Sequence, residues 1–199
     1  TYTFSGLNMG SSYTLYAKAY DKAGNVTNPE TYSYTKTPAW TVMVYLDADN
    51  DLERYGVSDF NEMEKGIYDA VAAGNPEIVD NLQIIVLMDR VSGYDTTDGN
   101  WTDTRLFKIK PDNNTTVSAS ERLDDGGAGV GHIANLGEKN MGDPSTLGWF
   151  VNYCKANFPA QNYGLVLWNH GGGSRSWTKT ATYYAKNGAT MTVEKTGSN

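Results

Sequence analysis

Three apolar runs of seven or eight residues constrain this chain most: WTVMVYLD at 40–47, LQIIVLMD at 82–89 and YGLVLWN at 163–169. None alternates cleanly between polar and apolar, so each reads as a strand covered on both faces. Between the first two runs, Leu52, Tyr55, Phe60, Met63, Ile67 and Val71 recur mostly at spacings of three or four. That period predicts a helix to about Ala72, ended by Gly74-Asn75-Pro76. Asn50 is its expected N-cap, with Glu53 three residues on as the capping-box partner. Before the third run, Asp143 and Pro144 are a good N-cap and first-turn pair. Leu147, Phe150, Val151, Cys154 and Phe158 then mark the apolar face of a second helix. Strand–helix–strand order predicts an α/β fold with a mainly parallel sheet and right-handed crossovers. Residues 101–109 are expected as an edge strand paired with the segment near Arg122, and the Gly-rich stretch 126–142 as a loop.

Residues 1–37 differ in character, being rich in Tyr, Thr and Ser and alternating with period two. Strands are expected at 1–4, 12–20 and 31–35, with a turn at Ala23-Gly24-Asn25. Tyr13, Leu15, Ala17 and Ala19 share one face, and Leu7 followed by Tyr13 looks like a tyrosine corner. This stretch resembles the last three strands of a bacterial fibronectin type III-like domain, whose other strands are expected upstream or from another chain because a sandwich needs about seven. Thr37-Pro38-Ala39 reads as a linker, giving expected domains at 1–37 and 38–199. Beyond Gly173 periodicity fades, and a loop or weak hairpin is expected.

Charge and cysteine content narrow the function classes. Sixteen Lys+Arg against 23 Asp+Glu leave a net charge of −7, which argues against a nucleic-acid partner, since phosphates need a basic face. One Cys forms no internal disulfide, and no Cys/His cluster exists to hold zinc. The longest unbroken apolar run is the five residues 84–88, too short for a membrane span. The glycines at 126–131 lie outside a strand–helix junction and lack the Lys-Ser/Thr of a phosphate loop, so nucleotide binding is not expected.

In parallel sheets, sites form beyond the carboxyl ends of strands. Residues 47–51, 89–90 and 170–173 fall there. His170 ends a strand and precedes three glycines, which allow a sharp turn and close approach of backbone N–H groups. A His so placed suits proton transfer from a nucleophile, beside an N–H that holds an oxyanion; the plainer reading is a strand-end His at a flexible turn. Asp47-Ala48-Asp49-Asn50-Asp51 begins like a calcium loop, but Leu52 and Ser58 occupy the positions that require Gly and Glu. Three readings stay open: a helix start, Asp47 and Asp49 facing a basic substrate side chain, or a metal site. Cys154 lies on an apolar helix face, where burial raises a thiol's pKa and leaves it inert. Trp101, Trp149 and Trp168 are expected in the core. His132 has no ligand at helical spacing and reads as a surface or packing residue.

Taken together, WTVMVYLDADNDLE (40–53), NMGDPSTLGWFVNYCKANFPA (140–160) and NYGLVLWNHGGG (162–173) resemble the clostripain family of caspase-like cysteine peptidases. The resemblance implies a caspase-like α/β/α sandwich and a His/Cys dyad, with His170 as its histidine and Gly171 N–H as an oxyanion donor. It implies protein or peptide substrates cut after Arg or Lys, and a secreted or cell-surface bacterial protein. It also implies activation by cleavage downstream of the His, for which Arg175, Lys179, Lys186 and Lys195 are candidates. No cofactor is implied except calcium, on which some of the family depend. The sequence departs from the family in one respect. A caspase-like nucleophile follows the His by about 50 residues, whereas 29 residues follow His170 (199 − 170) and no Asp-Ala-Cys occurs. The nucleophile, and the rest of the peptidase domain as a partner, are therefore expected beyond these residues, and this chain alone is expected to be inactive. The alternative is a non-catalytic cell-surface binding module on a peptidase-like scaffold.

Overall fold

Apolar runs that cannot leave a face in water assemble side by side. In the computed structural model they are β3 (Trp40–Ala48), β4 (Leu82–Arg90) and β7 (Asn162–Trp168), following a hairpin of β1 (Ser12–Ala17) and β2 (Glu30–Thr35). The structure describes residues 4–7, 11–171, 177–184 and 190–197. It divides into two units, Thr1–Trp168 and Asn169–Asn199. The expected strand at 1–4 and the expected tyrosine corner fall largely outside the described residues; Phe4 itself is in no strand.

In the first unit, α1 (Glu53–Ala72) and the short α2 (Ile78–Asn81) separate β3 from β4. β5 (Arg105–Lys108), β6 (Glu121–Arg122) and α3 (Pro144–Asn157) lie between β4 and β7. The five-stranded order is β6-β5-β4-β3-β7. β3 is central and parallel to both β4 and β7, while β5 and β6 join antiparallel. The sheet is thus mixed, with a parallel half. Residues 101–109 do not form the edge: β5 is interior, and β6 takes the edge.

Alternation along β3 and β4 sorts the core into two layers. Met43, Tyr45, Ile85 and Leu87 pack with Phe150, Tyr153, Cys154 and Phe158 of the α3 side. Val44, Leu46, Ala48, Val86 and Met88 pack with Val57, Phe60 and Ile67 of α1. α1 approaches so closely at Gly56 that a Cβ there would lie 2.8 Å from Ala48 Cβ and 2.9 Å from Leu46 Cδ2, which is why no larger residue fits. Asp143 caps α3 as expected, accepting from Ser145 N–H at 2.8 Å.

Several expectations need correction. Leu52, not Asn50, is the N-cap of α1; Asn50 Oδ1 accepts instead from Leu52 N–H at 2.9 Å. Glu53 is no capping-box partner, because it is fully buried against Arg90. β7 is not a buried strand: Leu165, Val166 and Leu167 are exposed, and among the described residues only β3 pairs with it. Trp149 is partly exposed, whereas Trp101 is in the core and Trp168 packs against it. His132, read as a surface or packing residue, is half-buried, with its ring against two carboxylates.

The second unit contains β8 (Trp177–Tyr184) paired antiparallel with β9 (Thr190–Gly197), the hairpin expected there. Lys179 and Lys195 sit opposite one another in it; Arg175 and Lys186 lie outside the described residues. Among the described residues, no helix is long and apolar enough to cross a membrane.

Candidate active site

The two faces of the parallel strands end in different chemistry. In register, Asp47 pairs with Asp89 and the next pair is Ala48 with Arg90. Asp47 and Asp89 fall on the α3 face, Ala48 and Arg90 on the α1 face. The neighbours Asp89 and Arg90, together in sequence, are thereby sent to opposite sides of the sheet.

On the α3 side the carboxyl edge opens into a pocket of about 320 Å³, lined by Asp47, Asp49, Asp89, Glu138 and residues 139–142. Thr104 organises it. Its hydroxyl donates to Asp89 Oδ1 at 3.0 Å and accepts from Lys139 N–H at 2.9 Å. Tyr45 O–H donates to Met141 O at 2.9 Å and fixes the same loop from below. Burial pushes the Tyr45 phenol up to about 12, helped by Asp47, Asp89 and Asp143.

Asp89 is 1% exposed. Burial pushes its carboxyl up to about 7; the Thr104 hydrogen bond opposes this, and Glu138, Asp49 and Asp47 add repulsion. Glu138 is also raised, by burial first and then by Asp49 and Asp103. A carboxyl whose folded pKa exceeds its unfolded one favours folding at low pH and loses that contribution as pH rises between the two values. For Asp89 the window runs from the ordinary carboxylate range to about 7. Urea unfolding at pH 5, 6, 7 and 8 is expected to show stability falling and then levelling, by a few kcal/mol at most. Asp89→Asn should flatten the profile; an unchanged pH dependence in that variant would refute the assignment.

Asp49, Asp89 and Glu138 each bring a carboxylate oxygen, and the three oxygens lie within 4.8 Å of one another. An all-oxygen set of this kind fits a hard divalent cation such as calcium. Asp47 and Asp49 line the same pocket as Asp89, while Arg90, expected at the same strand end, faces the α1 side. Glu138 and Thr104 were missed, because they sit in aperiodic segments that no spacing rule marks.

On the α1 side Arg90 is completely enclosed. Its Nε donates to Glu53 Oε1 at 2.8 Å, and its terminal nitrogens donate to Asp95 O at 3.2 Å and to Thr97 O at 3.2 and 3.3 Å. Glu53 Oε2 accepts from Asp95 N–H at 2.8 Å, and the guanidinium lies 4.8 Å over the Trp101 ring. This ion pair holds the β4–β5 loop.

His170 belongs to the second unit, two residues beyond the end of β7 in sequence. It is exposed, as is Gly171, and its backbone N–H donates to Asn169 Oδ1 at 2.5 Å. Gly172 and Gly173 lie outside the described residues. Cys154 is wholly buried, and burial pushes its thiol up to about 12, as expected of a core residue with no thiolate to offer.

Residues 44–195 match the family model described as the Clostripain family. Clostripain from Hathewaya histolytica is 38% identical over 141 residues, which is 68% of this chain and 24% of that protein. The chain therefore spans about a quarter of the length of that relative. Among solved structures, a B. fragilis cysteine protease is similar with a TM-score of 0.47 and 22% identity, over 68% of this chain and 91% of the other. A clostripain from Bacteroides thetaiotaomicron, in complex with a peptide inhibitor, is similar with a TM-score of 0.47 and 17% identity, over 69% and 94%.

Proposed function

The chain belongs to the clostripain family, and from that membership we propose that it is part of a cysteine endopeptidase cleaving peptide bonds after Arg or Lys. Family membership over residues 44–195, with His170-Gly171 following β7, is the observation that carries the reading. His170 is the base that takes the thiol proton, and the thiolate attacks the peptide carbonyl. Gly171 N–H is a donor to the oxyanion. The nucleophile lies outside these 199 residues. Two features support that placement: Cys154 is buried with a raised pKa, and β7 leaves Leu165, Val166 and Leu167 exposed beside a strand side that pairs with nothing among the described residues. A further parallel strand fits there.

Asp47 and Asp49 are assigned to a basic substrate side chain, supported by the acidic lining of their pocket. The alternative reading of the same pocket is a calcium ion held by Asp49, Asp89 and Glu138 in place of the basic side chain, its charge offsetting their mutual repulsion. Residues 1–37 are taken as the end of a fibronectin type III-like module, and the whole as an extracellular bacterial protein.

The test uses the longer protein that contains this chain. Peptides with Arg or Lys before the reporter group should be cleaved, those with Leu or Asp should not, and a thiol alkylator should abolish turnover. Cleavage that ignores the basic residue refutes the specificity. A continuation that lacks a strand-end Cys and cleaves nothing would establish a binding scaffold instead. The isolated 199 residues are expected to be inactive and to show no fast thiol labelling.

A further inference from the structure

Glycines crowd the loop between β6 and α3. Gly126, Gly129 and Gly131 have φ of +76°, +136° and +81°, a region open to glycine and costly to other residues. The loop wraps one side chain. A Cβ on Gly127 would lie 2.8 Å from His132 Nδ1, and one on Gly129 would lie 3.2 Å from His132 Cδ2. Its ends are tied by Gly126 N–H to Ile133 O at 2.9 Å and by Ile133 N–H to Leu123 O at 2.8 Å. Its far side rests on α3 and the residue after it. Tyr153 O–H donates to Gly131 O, and a Cβ on Gly131 would meet the Phe158 ring at 2.5 Å.

The enclosed imidazole joins two elements. His132 Nδ1 is 2.8 Å from Asp125 Oδ1 in the loop, and Nε2 is 3.1 Å from Glu121 Oε1 on β6. An ionised carboxylate only accepts, so both contacts are hydrogen bonds only when both ring nitrogens carry hydrogen. That species is the imidazolium. Neutral imidazole has one N–H, and its other nitrogen would present a lone pair to a carboxylate.

We propose that His132 is a proton-operated latch: as the imidazolium it fastens the 126–131 loop to β6, and on losing its proton it lets that loop go. This inference is independent of the peptidase reading. Asp125, then Glu121, hold the imidazole above the usual histidine range. In return His132 is the largest influence lowering each of the two carboxyls. The other charges facing the site sharpen the direction of release. Lys110 Nζ lies 3.3 Å from Glu121 Oε2, and Lys108 adds to the positive field there. Glu121 thus keeps a cationic partner when the imidazole goes neutral. Asp125 Oδ1 also accepts from Gly127 N–H at 2.8 Å, so the shorter contact stays within the loop. On β6, Arg122 is committed to Asp124 and Asp103. The contact that breaks is His132–Glu121, the one crossing from loop to strand. Because the folded pKa is raised, the latch contributes fully below the unfolded histidine value and is lost as pH rises through the folded one.

The chain has two histidines, so a His170→Gln variant assigns the ring proton signals by NMR. The experiment titrates the chain from pH 5 to 9 and records His132 ionisation alongside amide exchange at Ile133, whose N–H donates to Leu123 O just after β6, each rate divided by its intrinsic value at that pH. The expected result is a several-fold loss of Ile133 protection centred on the His132 midpoint, with Ile85 and Val86 in the core unchanged. Glu121→Gln should lower the His132 midpoint and leave Ile133 weakly protected throughout. Protection at Ile133 that stays flat across the His132 titration overturns the proposal, and so does a midpoint unmoved by Glu121→Gln. The wild-type titration decides the matter even if the variant fails to fold.

Discussion

Replacing His170 with Ala in the longer protein is expected to cut kcat for Arg or Lys peptides by about 10²–10⁴-fold, the range of a positioned general base. KM should move little, because the role proposed for the ring is on the nucleophile and not on the substrate side chain. The same variant should slow alkylation of the nucleophilic thiol at neutral pH, since without a neighbouring base the sulfur reverts to an ordinary thiol of pKa about 8.5. Gly171→Pro removes the backbone N–H assigned to the oxyanion and should cost about 10²–10³-fold in kcat, with thiol labelling unaltered. The two variants therefore separate the two roles. Undiminished turnover in His170→Ala would sink the dyad assignment.

A second large effect concerns stability. Arg90→Met should destabilise the chain by about 3–5 kcal/mol, the usual cost of leaving one partner of a buried ion pair alone. The cause is specific: Glu53 has no access to water, and the carbonyls of Asp95 and Thr97 lose their donors at once. Removing both charges, as Arg90→Met with Glu53→Leu, should recover a large part of the loss, because the penalty lies in the uncompensated charge. Equilibrium urea unfolding of the two single variants and the double variant measures the coupling. A loss below about 0.5 kcal/mol for Arg90→Met, the scale of an ordinary surface change, would contradict the structure.

Strand positions were legible in the sequence because β3, β4 and β7 are mostly apolar without alternating, and α1 and α3 because their apolar residues keep a helical period. The exposure of Leu165, Val166 and Leu167 was not legible. A run covered on both faces and a run awaiting a neighbour have the same composition, and only the strand order tells them apart. Glu53 was misread for a related reason. An acid in the first turn of a helix ordinarily serves the backbone N–H groups and the dipole, but here a strand 37 residues on delivers a guanidinium to it. The acidic pocket was half visible: Asp47, Asp49 and Asp89 end apolar runs, while Glu138 and Thr104 arrive on loops whose paths leave no periodic trace. The partners of His132 sit seven and eleven residues before it, outside any local spacing that marks a histidine cluster.

The central place of β3 also governs how the protein is made. Trp40 is paired with Leu82 on one side and with Asn162 on the other. A ribosome adding about 5–20 residues per second supplies the first neighbour within seconds but withholds the second for roughly 6–24 s. During that interval β3, α1 and β4 can already assemble, while the other flank of β3 presents an unsatisfied apolar margin to the cell. That margin is where a nascent chain would recruit chaperones or join another nascent chain, and slower translation after residue 90 would lengthen its exposure.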